Sequence, residues 1–221
     1  MGIIQDIFTY PFRGSGKYMI FFGTLLAVAA ELVKFAPLFG GIASLILAAY
    51  LTATYFEIIE TTATGSDEAP MFPNVSSMWD DLVWPFLKSV IVVIACFSPV
   101  LIYFWAVPDD AVQPVIALCL LAFSVAYFPM AMLAVVVLGY LGAMSPHIVL
   151  PSIFRAGGLY WLAVFLVVLI VMAERFLGGL LVGSPVVGTV LLAGVGIIAT
   201  MLNGRTLGIV YRERQEAMGW I

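Results

Sequence analysis

The chain has 221 residues, 63% of them hydrophobic and 10% charged, with a formal charge of −4 and a mean hydropathy of +1.13. Water-soluble domains carry about 25% charged residues, and a fold in water could not hide this much apolar surface. The balance excludes a soluble protein and predicts an all-α polytopic membrane bundle, a single integral membrane domain over 1–221 with the lipid bilayer as its first partner and no nucleic acid.

Length sets the spans, because a hydrocarbon core of ~30 Å takes ~20 helical residues at ~1.5 Å each. Six stretches qualify: 18–37, 38–60, 83–107, 111–144, 159–173 and 185–211. Ahead of them, residues 1–17 mix Asp6, Arg13 and Lys17 with apolar residues and hold no small-residue cleavage site, so no removable targeting segment is expected. Met1-Gly2 is followed by Asp6 where an acylation signal needs Ser or Thr. Residues 3–12 are apolar enough to lie along the inner interface as a short anchor, or to serve as a plain lead-in. Near the end of the first span, Glu31 and Lys34 stand at i, i+3, where they can pair and snorkel to the interface.

In the second span Gly40, Ser44 and Ala48 recur every four residues, as Gly204 and Gly208 do in the last. Both faces permit close helix approach, to the same chain or to a second subunit. Glu57 and Glu60 lie near the cytoplasmic end of the second span, where the helix dipole favours cations. They imply a basic neighbour, Arg205 or Arg155. With Asn203 these residues form a candidate polar lock or cytoplasmic vestibule; the alternative is a pair of carboxylates exposed to water at the interface.

Residues 61–84 read TTATGSDEAPMFPNVSSMWDDLVW. Gly65 and Pro70 break the preceding helix, Pro73 delays the next, and Ser76 or Ser77 can cap it. Met78, Trp79, Leu82, Val83 and Phe86 then recur at helical spacing, with Asp80 and Asp81 turned away. Trp79 and Trp84 suit headgroup depth. The segment is either a membrane-hugging elbow or a docking surface for a protein partner, formed by Met78, Trp79, Asp80, Asp81 and Trp84. Pro99 and Pro129, inside the third and fourth spans, are candidate helix kinks. A second elbow covers 142–161, where Ser145 and Pro146 open a short helix whose apolar face would hold Ile148, Val149, Ile153 and Phe154. The paired elbows hint at two related halves, 1–107 and 111–221, without a residue-level repeat.

Threaded alternately, the spans place Arg13, Lys17, Lys88, Arg155, Arg205, Arg212 and Arg214 on the side of the termini and only Lys34 and Arg175 opposite. This predicts both termini in the cytoplasm and outer turns near Pro37, Asp109 and Gly179, with Asp109 and Asp110 outside. Cys96 and Cys119 fall within spans as packing residues. With His147 they are too few for a metal or haem site, and no cofactor is expected. Ser145-Pro146-His147 sits on a turn, where adjacent side chains rarely face one another, and a loop role is expected for it. No nucleotide-binding or hydrolase motif is present.

The run 55–99, with T-A-x-G-x-x-x-x-P at 62–70, W-D-D at 79–81 and the late proline Pro99, resembles an uncharacterised prokaryotic multi-pass membrane family, a domain of unknown function. The 146–160 elbow, L-G-x-x-Y-R at 207–212 and Gly219-Trp220 are similar too. The resemblance implies six helices in a prokaryotic inner membrane and carries no catalytic residues. Three functions then stand open. A non-catalytic scaffold or assembly subunit fits span centres free of ionisable groups. A small-solute or lipid transporter or channel needs a polar route, offered only by Thr52, Thr54, Ser98, Ser124 and Tyr127. A membrane enzyme needs a cluster such as His147, Glu57 and Asp80 in one cleft.

Overall fold

The computed structural model describes residues 2–33, 37–70, 76–108, 111–181 and 185–220, and every regular element among them is helical. In chain order these are α1 (Ile3–Thr9), α2 (Gly16–Val33), α3 (Pro37–Ala63), α4 (Trp84–Ala106), α5 (Pro114–Leu138), α6 (Pro146–Ala156), α7 (Gly158–Leu181) and α8 (Pro185–Met218). Short 3-10 turns follow α1 (Tyr10–Phe12) and precede α6 (Leu141–Met144), and a π-helical turn (Trp79–Val83) opens α4. Six of the helices, all but α1 and α6, are long and apolar enough to cross a membrane.

The helix ends correct three of the expected boundaries. The fourth span stops at Leu138 rather than at 144, because Gly139 turns into the left-handed region (φ 81°) and its N–H closes on the Val135 carbonyl. The fifth continues past Ala173 to Leu181, so the turn expected at Gly179 is helix. Arg175 can stay in it because a long cationic side chain near a span end snorkels outward, whereas the Glu174 carboxylate faces α8 near Gly196. The last runs beyond 211 to Met218, where Gly219 (φ 67°) stops it. The expected Glu31–Lys34 pairing, the effect of Pro73 and the Asp109–Asp110 turn rest on Lys34, Pro73, Asp109 and Asp110, which lie outside the described residues.

The two halves of α5 have different surroundings. Val115, Leu118, Leu121 and Phe123 in the first half are exposed, whereas every side chain from 130 to 136 is buried. A helix enclosed on all sides is a central post. Around it stand Phe56 and Ile59 of α3, Val92 and Cys96 of α4, Val149 and Ile153 of α6, Tyr160 and Ala163 of α7, and Leu207 and Val210 of α8.

Pro129 sits where this post begins. It has no N–H to give the preceding turn, and its ring crowds that turn. At the next rung the Tyr160 hydroxyl enters the helix ladder, donating to the Ala126 carbonyl at 2.5 Å and accepting the Met130 N–H at 3.2 Å. Tyr160 thereby satisfies two backbone groups and pins α7 to α5. Tyr160→Phe removes both hydrogen bonds, each worth about 0.5–1.5 kcal/mol net. The expected outcome is a loss of roughly 2 kcal/mol, read as a lower melting temperature in detergent and faster amide exchange at Met130.

The register of α8 is set by its glycines. A Cβ on Gly204 would lie 2.8 Å from Ile58 Cγ2, and one on Gly208 would lie 2.4 Å from Thr62 Cβ and 3.0 Å from the Ile59 carbonyl oxygen. The neighbour of this small-residue ladder is therefore α3 of the same chain.

Candidate functional site

Residues 3–12 form a helix and a tight turn beneath α8. Ile7 packs on Leu166, Leu202 and Ile209, while Ile4, Phe8 and Phe12 stay exposed at four-residue spacing. Asp6 and Tyr10 share the inward face at i, i+4, and the Pro11 turn holds Tyr10 fully buried.

Both meet Arg205, whose side chain is 0% exposed. Its Nη2 donates to Asp6 Oδ2 at 2.7 Å and to Asp67 Oδ1 at 2.8 Å, and its Nε to Asp6 Oδ2 at 3.1 Å. Its Nη1 reaches the Ser66 carbonyl at 2.5 Å and Thr62 Oγ1 at 3.5 Å. All five guanidinium N–H groups are thus engaged. The guanidinium also lies 4.8 Å from the centre of the Tyr10 ring, a cation–π contact. The chain of charges extends at both ends, Arg13 Nη1 meeting Asp6 Oδ1 at 2.5 Å and Arg212 Nη1 meeting Asp67 Oδ1 at 3.1 Å.

Arginines and aspartates alternate along the row, Arg13, Asp6, Arg205, Asp67, Arg212, so no like charges are adjacent. Partial burial of Asp6 opposes its ionisation, but the hydrogen bonds from Arg205 and Arg13 outweigh it and hold the carboxyl below its usual range. Hydrogen bonds from Arg205 and Arg212 do the same for Asp67. Burial pushes the Tyr10 phenol up to about 12 against the opposing field of Arg205. The clamp joins α1, the loop after α3 and α8. A hydrogen bond from Ser15 Oγ to the Ala69 carbonyl adds the start of α2.

The expected polar lock is corrected by this arrangement. Arg205 serves Asp6 and Asp67 because the Gly204–Gly208 register sets it beside Thr62, more than a turn from Glu57 along α3. Glu57 Oε2 and Asn203 Oδ1 are buried without a hydrogen-bond partner. Glu60 lines a cleft of about 660 Å³ together with Tyr211, Arg212 and Gln215. Arg155 donates to the Met218 carbonyl at 3.1 Å, and Lys88 donates to the Gly139 carbonyl at 2.7 Å. Each of these cations closes a helix C-terminus.

The first elbow is a tightly tied turn. The Asp81 carboxylate accepts the Ser76 and Ser77 N–H groups at 2.7 and 2.8 Å and the Ser76 hydroxyl at 2.9 Å, and Ser77 Oγ accepts the Asp80 N–H at 3.2 Å. Met78 and Trp79 project from it, 68% and 59% exposed, with Trp84 nearby under the Lys88 ammonium, 5.7 Å from the ring centre. At the second elbow Ser145 and Pro146 open α6 as expected, and Val149 and Ile153 are buried, but Phe154 faces outward. Trp220 stacks on Tyr211 and donates to Ser152 Oγ at 2.8 Å.

Four of the five hydroxyls considered for a polar route are spent on nearby carbonyls: Thr52 on Ala48, Thr54 on Tyr50, Ser98 on Ala95 and Tyr127 on Met144. Ser124 Oγ is buried without a partner. His147 meets Ser145, Asp80 meets Ser77, and Glu57 joins neither. Comparison with known protein families, curated proteins and solved structures finds no match.

Sequence reasoning passed over Asp6 and Asp67 as the partners of Arg205. One signal was available: Asp6, Tyr10 and Arg13 are spaced to share a helix face within an otherwise apolar segment.

Proposed function

We propose that this protein is a non-catalytic integral membrane scaffold or assembly subunit, a member of the uncharacterised prokaryotic family it resembles, that offers its terminus-bearing face to a protein partner. The observation that carries this reading is the rigid display of Met78 and Trp79: two large apolar side chains stand exposed on a turn fixed by five serine–aspartate hydrogen bonds. A segment meant only to float in headgroups gains nothing from such rigidity, whereas preorganisation raises affinity for a partner. The clamp supports the same reading, because it ties the N-terminal helix, the 64–70 loop and the second half of α8 together.

The setting is a prokaryotic inner membrane with both termini in the cytoplasm. Support comes from Arg13, Arg205 and Arg212 in one network, with Lys88 and Arg155 on helix ends of the same face, as a positive inner side requires. Changing Met78 and Trp79 together to Ala is expected to remove a stoichiometric partner recovered by gentle-detergent purification from the native host. Insertion and expression should be unchanged. Equal recovery of the partner with the double variant would end the docking reading.

A further inference from the structure

An apolar cavity of about 410 Å³ lies between α4 and α5, within the ~300–1,000 Å³ typical of small-molecule sites. Ala95, Cys96 and Pro99 form one wall at helical spacing, Phe123 and Tyr127 the other, and Ser145 stands at the end nearest α6. The space exists because Ala95 is small and because the Tyr127 hydroxyl is drawn to the Met144 carbonyl, 2.5 Å away, which holds the ring along the wall. Ile94, Leu101 and Ile102 on α4 and Leu121 and Phe123 on α5 are exposed. The cavity is therefore continuous with the outward apolar surface of two membrane-crossing helices. Ser145 brings a hydroxyl to one end of the lining, and outside the cavity His147 Nε2 lies 3.5 Å from that hydroxyl.

We infer that this cavity is a lipid site that takes one acyl chain of a bilayer phospholipid, entering sideways between α4 and α5, with the ester end of the lipid at Ser145. Water is a poor occupant, because it needs about two to four polar partners and these walls are apolar. A peptide segment would bring backbone N–H and C=O groups into walls that offer them no partners. An acyl chain brings none, and the surrounding bilayer supplies it at high local concentration. The inference does not depend on the scaffold reading, since it concerns a different face of the molecule.

The test uses the full chain reconstituted in phosphatidylcholine vesicles in which a small fraction of the lipid carries a diazirine on its acyl chain. Illumination is followed by mass-spectrometric mapping of adducts. The expected result is labelling at Ala95, Cys96, Phe123 and Tyr127 at least fivefold above that at Leu118 and Trp105, which are exposed and do not line this cavity. Ala95→Trp, which fills the space, should cut the labelling of Phe123 and Tyr127 about tenfold while Leu118 keeps its level, and that constancy reports correct insertion. Labelling of the cavity residues no higher than Leu118 in the unmodified protein would overturn the assignment, whatever the variant does. So would undiminished labelling of Phe123 and Tyr127 in a correctly inserted Ala95→Trp.

Discussion

Arg205→Met is expected to destabilise the purified protein by about 3–5 kcal/mol, the usual cost of removing one partner from a buried ion pair. The lower part of that range applies, because Asp67 is 69% exposed and retains Arg212, so its share is screened by water. Asp6 bears most of the loss, since its side chain is 16% exposed and would face Arg13 alone. For a chain of this length ~3 kcal/mol corresponds to a fall in melting temperature of roughly 6–12 °C. Arg205→Lys should recover less than half of it, because an ammonium has three donors where the guanidinium uses five. Both aspartates titrate below their ordinary range in the folded protein. The contribution of the clamp is therefore complete above the ordinary aspartate value of ~3.9 and is lost as pH falls through the depressed values. The gap between the unmodified protein and Arg205→Met should accordingly be the same at pH 5 and pH 8 and should close only in strong acid. Melting in detergent at the three pH values checks this, and a shift under ~2 °C at neutral pH would remove the clamp as a stabilising feature.

Gly208→Val should be the most damaging small change at the α3–α8 contact. The first added carbon already falls 2.4 Å from Thr62 Cβ and 3.0 Å from the Ile59 carbonyl oxygen, neither of which a rotamer change can move aside. Overpacking costs about 1–3 kcal/mol for a modest excess, and two further methyl groups drive α3 and α8 apart. Even Gly208→Ala should lose stability, although alanine is favoured over glycine in a helix by ~1 kcal/mol. Gly204→Ala should be milder, because its nearest obstacle, Ile58 Cγ2, is 2.8 Å away rather than 2.4 Å and its three nearest neighbours are all side-chain atoms. Gly179→Ala meets nothing within 4 Å and should be neutral or stabilising. The order Gly208, Gly204, Gly179 in a melting series, from most to least damaging, is the outcome that supports the packing register. An inverted order would refute it.

The membrane helices are readable in the chain because apolar length alone demands them, and the small-residue ladder at Gly204 and Gly208 points to close approach without naming its neighbour. Boundaries are less readable where a glycine conformation decides them, as at Gly139, or where a charge is tolerated within a helix, by snorkelling at Arg175 and by facing α8 at Glu174. The electrostatic partners escape sequence reading for a different reason. Spacing along α3 singles out Glu57 and Glu60, but the partner of Arg205 depends on helix register and on a short N-terminal helix folding back across the bundle, and neither has a local signature. The Tyr160 hydroxyl inside the α5 ladder is likewise set by two helices meeting at Pro129. The display of Met78 and Trp79 is the part of the candidate site most legible beforehand, because caps, prolines and aromatic spacing are all local.

The clamp also bears on the order in which the chain is made. Asp6 precedes Arg205 by 199 residues, and Ile7 rests on side chains of α7 and α8. During synthesis from the N-terminus, α1 is complete long before its binding groove exists. Until the last helix inserts, Ile4, Phe8 and Phe12 can hold α1 at the bilayer surface, with Asp6 and Tyr10 uncovered. Arrival of Arg205 closes the first and last segments over one another. Before α8 is made, Asp6 therefore lacks its Arg205 partner, and the packing of residues 3–12 onto the bundle waits on the last helix.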